Sequence, residues 1–183
     1  MKKLLALITV FALLALCFCG SFAFAAEADP DADAEEEEEA PYGPLSFIYR
    51  DIEFGIMDEA EPVMEELGEA DDLFISASCA YQGDDYIYYY DGIELTTNEI
   101  DGVLRVTGIV LADDMIETPQ GLKIGMDIEE ALKLMKAIED EELTVEENRG
   151  VYSFQYGPVL LMVKANADGE ITAIQYVAVT EED

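Results

Sequence analysis

The sequence predicts an α+β fold: two tandem helix-plus-antiparallel-strand repeats, with the helices packed on one face of an antiparallel sheet. Two apolar stripes with helical spacing and a series of short strand-like runs support this prediction. Each stripe has apolar residues at positions i, i+3, i+4 and i+7, which line one side of a helix. The first stripe comprises Ala60, Val63, Met64 and Leu67, and the second, 71 positions later, comprises Ala131, Leu134, Met135 and Ile138.

Both predicted helices begin with an Asp-x-x-Glu pattern, Asp58 to Glu61 and Asp127 to Glu130. An aspartate at such a position accepts a hydrogen bond from a free backbone N–H, and the helix dipole favours both acids. Because Pro62 is tolerated only near the first turn, we expect the first helix to begin slightly later than the second.

Strand-like runs follow each helix and are separated by turn residues such as Asp101-Gly102 and Asp168-Gly169, which tolerate positive φ. The connections are too short for crossover helices, so the predicted sheet is antiparallel. A leading strand is expected over Phe47–Phe54. The other predicted strands are Phe74–Tyr81, Tyr86–Tyr90, Ile93–Thr97 and Val103–Leu111 in the first repeat, and Leu143–Glu146, Val151–Tyr156, Val159–Lys164 and Ile171–Val179 in the second.

The N-terminus has the pattern of a secretory signal peptide over residues 1–25. Lys2 and Lys3 precede an apolar run, Leu4 to Phe18, which is too short for an ordinary membrane span. Ala23-Phe24-Ala25 provides the small-x-small cleavage pattern, which predicts a secreted, extracellular chain beginning at Ala26. Lipidation at Cys19 would instead keep the protein at the cell surface, but the bulky Phe18 precedes that cysteine where a small residue is required.

The remaining chain divides by composition. Residues 26–44 are predicted to be a disordered acidic linker, because Glu27 to Glu39 is rich in acids and has no aromatic or β-branched residue to bury. Residues 45–115 are predicted to form the first α-β repeat and residues 116–183 the second. Together, 45–183 are long enough to bury one sizeable core, so we expect a single compact domain.

Charge restricts the partners. The chain has 42 acidic and nine basic residues, a formal net charge of −33. Such a chain is repelled by nucleic acid and anionic lipid, whereas basic protein surfaces and cations are attracted. The sequence therefore predicts no nucleic-acid partner and, after cleavage, no membrane span.

Residue types that carry out catalysis are scarce. The chain contains no histidine, no Gly-x-Ser-x-Gly and no Ser-x-x-Lys, and it has no glycine-rich phosphate loop. Cys79 has only acidic neighbours such as Asp84, which disfavours a reactive thiolate, so it is expected to be a small buried residue. We predict no catalytic residue, no cofactor and no metal site, although a carboxylate pair such as Glu94 and Asp101 leaves a small hydrolase as an alternative.

Two features are candidates for binding. The tyrosines Tyr86, Tyr88 and Tyr90 alternate along one predicted strand, and either they or Ile87 and Tyr89 must face away from the helices. We predict that the tyrosines form a binding platform. Separately, the acid clusters Glu65-Glu66, Asp71-Asp72, Asp113-Asp114 and Glu139–Glu142 could collect divalent cations weakly, or form a solvated surface.

A resemblance supports a binding function. The segment Gly121-Leu122-Lys123-Ile124-Gly125-Met126-Asp127, followed by a helix and an Ile-Thr-x-Ile strand, resembles the helix-plus-three-strand modules of the outer-membrane barrel-assembly lipoprotein and of β-lactamase inhibitor protein. It also resembles tandem versions in exported proteins of Gram-positive bacteria, which often have a segment like Ser78-Cys79-Ala80. The resemblance implies protein binding through an exposed sheet face and loops, and not catalysis.

These observations predict a secreted, non-enzymatic protein-binding or interaction module whose partner is an extracytoplasmic protein or peptide, with a basic one favoured. The first alternative is an extracellular, cation-responsive acidic structural protein that binds divalent cations weakly. The second is the carboxylate-dependent hydrolase.

Self-repulsion should limit stability, because residues 45–183 contain 33 acidic and seven basic residues, a net charge of −26. We expect moderate salt to raise the melting temperature by screening, and millimolar calcium to raise it further by binding the compact acid clusters. A melting temperature that stays constant from low to moderate salt would show that the charges are too widely spaced to matter.

Overall fold

The computed structural model describes residues 43–179, which form two small strands, two helices and one large sheet. A 3₁₀ turn at Gly43–Leu45 comes first. The elements that follow are β1 (Phe47–Tyr49), β2 (Ile52–Phe54), α1 (Ala60–Leu67), β3 (Asp72–Ala77), β4 (Asp84–Tyr90), β5 (Ile93–Ile100), β6 (Val103–Leu111), α2 (Ile128–Lys136), β7 (Thr144–Asn148), β8 (Val151–Tyr156), β9 (Val159–Ala165) and β10 (Ile171–Ala178).

The large sheet has eight strands in the order β3-β4-β5-β6-β10-β9-β8-β7, and every adjacent pair is antiparallel. Two four-strand meanders, β3–β6 and β7–β10, are joined where β10 pairs with β6. The joining ladder has the register Gln175↔Val110, Tyr176↔Ile109 and Val177↔Gly108. The strands lie within a few residues of their predicted positions.

The predicted fold class is nevertheless wrong. The structure is mainly one continuous antiparallel sheet with two short helices of eight and nine residues, and not two tandem helix-plus-strand repeats. The β6–β10 ladder merges all eight strands, so backbone pairing makes the sheet the dominant element. Helical spacing identified the helices but not their lengths, and Ile138 of the second stripe lies beyond the end of α2.

The prediction of one leading strand over 47–54 is also wrong, because these residues form a β-hairpin. β1 and β2 pair antiparallel, with Phe47 opposite Phe54. Arg50 and Asp51 form the turn with φ of 54° and 64°, a left-handed conformation that the apolar pattern gives no sign of.

The two helices start differently. At α2, Asp127 is the N-cap and its side chain accepts hydrogen bonds from the N–H groups of Glu129 and Glu130, as predicted. At α1 the N-cap is Glu59, which makes no side-chain capping bond. Asp58 instead accepts from the N–H of Gly55 at 3.0 Å, which stabilises the turn before the helix.

The core lies on one face of the sheet, which we call the inner face. The helices, the β1–β2 hairpin and the inner sides of β4, β5, β6, β8, β9 and β10 contribute buried side chains to it. At its centre, the ring of Tyr176 packs edge-on against Phe47 at 5.4 Å, and Phe47 packs edge-on against Phe54 at 5.6 Å. The Tyr176 hydroxyl donates to Gln120 Oε1 at 2.7 Å, and Gln120 Nε2 donates to the carbonyl of Pro44 at 2.8 Å.

Some predictions fall outside this part of the chain. The signal peptide at 1–25, the alternative lipidation at Cys19 and nearly all of the acidic linker at 26–44 lie outside the described residues. Within residues 43–179, neither helix has the length and apolar character needed to cross a membrane.

Burial raises the pKa of Tyr176 above its ordinary value, so the folded protein favours the neutral phenol. The resulting stability is fully present below about pH 10, the pKa of an unfolded tyrosine, and is lost as the pH rises beyond it. We expect the wild-type melting temperature to fall above about pH 10 more steeply than that of Tyr176→Phe. At neutral pH the variant should lose about 1 kcal/mol because one hydrogen bond is removed. Equal alkaline slopes in differential scanning calorimetry would contradict this assignment.

Candidate functional site

The tyrosines predicted to form the binding platform lie on the inner face. Tyr88 pairs with Leu95 and Tyr90 with Ile93, and both partners are buried core residues. Tyr90 is only 6% exposed and its hydroxyl donates to the carbonyl of Gly68 at 3.4 Å. Burial raises the pKa of both tyrosines. Tyr90 therefore lies in the core and Tyr88 at its margin. Neither tyrosine lies on the free face of the sheet, where the binding platform was predicted.

Tyr86 shares the inner face but has a different environment. It lies near the end of the sheet beside a cleft of about 700 Å³ that the β3–β4 loop and the β5–β6 hairpin enclose. Tyr81 and Ile100 line the cleft with it, and Asp84, Glu99 and Asp101 supply carboxylates. Burial, followed by the negative charge of Asp85, raises the pKa of Tyr81.

The opposite side of the sheet, which we call the outer face, carries two rows of cross-strand neighbours across the six inner strands. Its apolar members are half-buried by their neighbours, and none belongs to the hydrophobic core. Among these twelve positions only Glu94 is charged. The same face also carries Asp85 and Lys164 beyond the two rows, and Asp72 and Glu146 on the edge strands next to them. The first row is Tyr89, Glu94, Val110, Gln175, Met162 and Ser153, and the second is Ile87, Thr96, Gly108, Val177, Leu160 and Gln155.

A buried polar cluster lies beside this face, and sequence reasoning missed it. Asn98 is 1% exposed, and its Nδ2 donates to Asp85 Oδ1 at 2.6 Å. Its Oδ1 accepts from the hydroxyl of Thr107 at 2.5 Å. The cluster links β4, β5 and β6 next to the bulge at Thr96/Thr97. In sequence, Asn98 is one polar residue in a polar stretch, so no local signal indicates its burial.

The two edges of the sheet differ. β3 carries Leu73, Phe74 and Ile75, which are 44%, 53% and 50% exposed. At the other edge, β7 carries Glu146 and Glu147 next to its exposed Val145. Charged side chains on an edge strand discourage pairing with another chain. The glutamates of β7 therefore disfavour the addition of another strand at that edge, whereas the apolar middle of β3 leaves its edge open to one.

Cys79 is exposed, so its predicted burial is wrong. The strand ends at Ala77, and Ser78 Oγ then accepts from the N–H groups of Ala80 and Tyr81 at 3.2 and 3.0 Å. This local turn places Cys79 at the surface instead of extending the strand.

The structure does not bring together the carboxylate pair that the hydrolase alternative invoked. Glu94 lies near the start of β5 and Asp101 just after its end, so the strand separates them by roughly 20 Å. A glycosidase needs its two carboxyl groups within about 10 Å of each other. Within residues 43–179, no three acidic or cysteine side chains converge into a set that could hold a metal ion.

Comparisons with known proteins identify no family. No family model matches the sequence, and no curated protein matches it. Among solved structures, the chain is similar to a cysteine-rich secretory protein from Staphylococcus aureus subsp. aureus Mu50, at 9% identity and a TM-score of 0.43. It is also similar to an extracellular protein containing an SCP domain from Bacillus anthracis str. Ames, at 11% identity and a TM-score of 0.43. Each likeness covers 67% of this chain and 44% of the other, so the chain spans less than half of either protein.

Structural similarity at this level indicates neither the fold family nor the function of this chain. The resemblance to the barrel-assembly lipoprotein and β-lactamase inhibitor protein modules stays a prediction.

The placement of the tyrosines yields a stability prediction. Tyr90→Ser removes a buried aromatic ring and should cost about 3 kcal/mol of unfolding free energy. Tyr89→Ser, one residue away on the outer face, should cost less than about 1 kcal/mol. Urea unfolding of the two variants checks this pair, and equal losses would contradict the assignment of the two faces.

Proposed function

We propose that this protein is a secreted, non-enzymatic protein-binding module whose outer face contacts an extracytoplasmic protein or peptide. One observation supports the proposal most: the twelve central positions of the outer face include a single charged residue, Glu94, in an otherwise strongly acidic protein. The pattern of residues 1–25 supports the extracytoplasmic location.

The shape of the outer face suits a protein partner. Strands lie about 4.8 Å apart, so the six inner strands span roughly 24 Å. Val110, Val177 and Leu160 lie near the middle of this span together with Gln175, whereas Ile87 and Tyr89 lie at one side and Ser153 and Gln155 at the other. Depletion of charge combined with apolar and aromatic side chains is typical of the core of protein interfaces. Small-molecule sites are concave pockets, whereas a sheet face is an open surface, which is better matched to a macromolecule.

The charge around the face favours a basic partner. Residues 45–183 have a net charge of −26, and the acids among the described residues lie in loops, on strands and on both helices. A partner with a basic rim would be attracted by this field over a distance that depends on salt. Of the residues in the two rows, only Glu94 would bring a charge to be desolvated at the centre of the contact.

Capture from the surface fraction of the producing cells tests the proposal, with the mature chain as bait. We expect Leu160→Lys combined with Val177→Lys to abolish capture, because two charges would be placed at the apolar centre of the interface. The matched control is Val145→Lys, an apolar-to-lysine change at an exposed position on β7, which should capture the same partner as the wild type.

Melting temperatures should show that both variants remain folded. Capture that the double variant retains, at wild-type yield, would contradict a role for the outer face.

A further inference from the structure

The backbone of β3 is unpaired along its outer side. The N–H of Ser78 donates to the carbonyl of Gly83 at 3.0 Å, which makes Ala77 and Asp84 a non-hydrogen-bonded pair of the β3–β4 ladder. Because the pattern alternates, Phe74 and Ser76 exchange hydrogen bonds with β4. The backbone N–H and C=O groups of Leu73, Ile75 and Ala77 therefore point away from the sheet.

One of these outward groups, the N–H of Leu73, already makes a hydrogen bond on the free side of β3. The N–H of Leu73 donates to Oδ1 of its neighbour Asp72 at 2.8 Å, which confirms that it points away from β4. A carboxylate oxygen here occupies the place that a carbonyl of an added strand would take. The edge thus presents a ladder of donors and acceptors along Leu73, Ile75 and Ala77, the arrangement used when a peptide adds a strand to a sheet.

The side chains of β3 give this edge apolar surface on both faces. Leu73 and Ile75 project to the inner side and Phe74 to the outer side, as their partners Tyr88, Tyr86 and Ile87 show. All three are about half exposed, and no residue of β3 is buried. An added strand would cover apolar side chains on both of its faces.

Acidic residues flank this apolar edge at both ends. Asp71 and Asp72 lie at its start, and Asp84 pairs with Ala77 at its end. Each of these three acids is exposed. A segment with cationic residues at both ends and apolar residues between them would match this arrangement in charge and in spacing.

We propose that the β3 edge binds an extended peptide segment that has an apolar centre and basic ends, as an added strand of the sheet. This site uses the free backbone of β3 and touches the outer face only through Asp72, Phe74 and Ser76, so substitutions at Ile75 test it independently of the proposed function.

A second copy of the chain fits the edge less well. Antiparallel pairing centred on Phe74 would place Leu73 opposite Ile75, a favourable apolar pair. It would also place Asp72 about 10 Å from Asp85 of the other copy, two strands away. The Debye length at 0.1 M salt is about the same, so the two carboxylates would still repel each other. Two bodies of net charge −26 would be brought together, whereas a basic peptide lowers the local charge.

The probe is a fluorescently labelled peptide, Lys-Lys-Thr-Val-Thr-Val-Thr-Lys-Lys, titrated with the full mature chain and followed by fluorescence anisotropy. A second peptide has glutamates in place of the lysines. We expect the lysine peptide to bind, with an affinity that falls as salt rises, and the glutamate peptide not to bind.

Ile75→Pro tests the backbone ladder. Proline removes the outward N–H of Ile75 but no hydrogen bond to β4, and proline is tolerated on edge strands where its nitrogen faces solvent. Binding should weaken by about tenfold or more, because a backbone hydrogen bond is lost and the ring obstructs the added strand. Ile75→Val is the matched control, which keeps the N–H and should bind like the wild type.

A charge-reversed variant keeps the proposal testable if Ile75→Pro does not fold. Asp71→Lys combined with Asp84→Lys should bind the lysine peptide more weakly than the wild type does, because two of the flanking acids become cations. The proposal is overturned if the lysine peptide does not bind, or if it binds with the same affinity to all variants. It is also overturned if sedimentation velocity shows self-association that depends on Ile75 in place of peptide binding.

Discussion

The arrangement of the large sheet depends on the short ladder between β6 and β10. Val110, Ile109 and Gly108 pair there with Gln175, Tyr176 and Val177, and this contact joins two four-strand meanders into eight strands. Without it, each meander would have two open edges and too narrow an inner face to bury a core. With it, Ile109 and Tyr176 meet at the centre, where Tyr176 also contacts Phe47 of the N-terminal hairpin. The ladder therefore creates the core and leaves only β3 and β7 as edges.

A sheet this wide is only partly covered by what packs on it. Helices of eight and nine residues are about 12 to 14 Å long, whereas eight strands span roughly 34 Å. The hairpin and the helices cover the middle of the inner face, and none of the residues of β3 is buried. The exposed apolar side chains of β3 follow from this difference in width, and the edge site that we propose is built on them.

The distribution of acids is as informative as their number. Carboxylates occupy loops, hairpin turns and both helices, whereas the two rows of the outer face contain only Glu94. Acids at the surface keep the protein soluble and repel other acidic molecules. Central positions with almost no charge within such a surface have the lowest desolvation cost for contact with another protein.

The sequence by itself determined the strand positions, the hairpin turns such as Asp101-Gly102 and the cap at Asp127, because these depend on neighbours a few residues apart. It also determined that one of the two side-chain sets of β4 had to face away from the helices. Only the tertiary structure decided which set, since that depends on the pairing of Tyr88 and Tyr90 with Leu95 and Ile93. The continuity of the sheet, the buried Asn98 and the open edge at β3 likewise follow from contacts between residues distant in sequence. Local periodicity contains no information about those contacts.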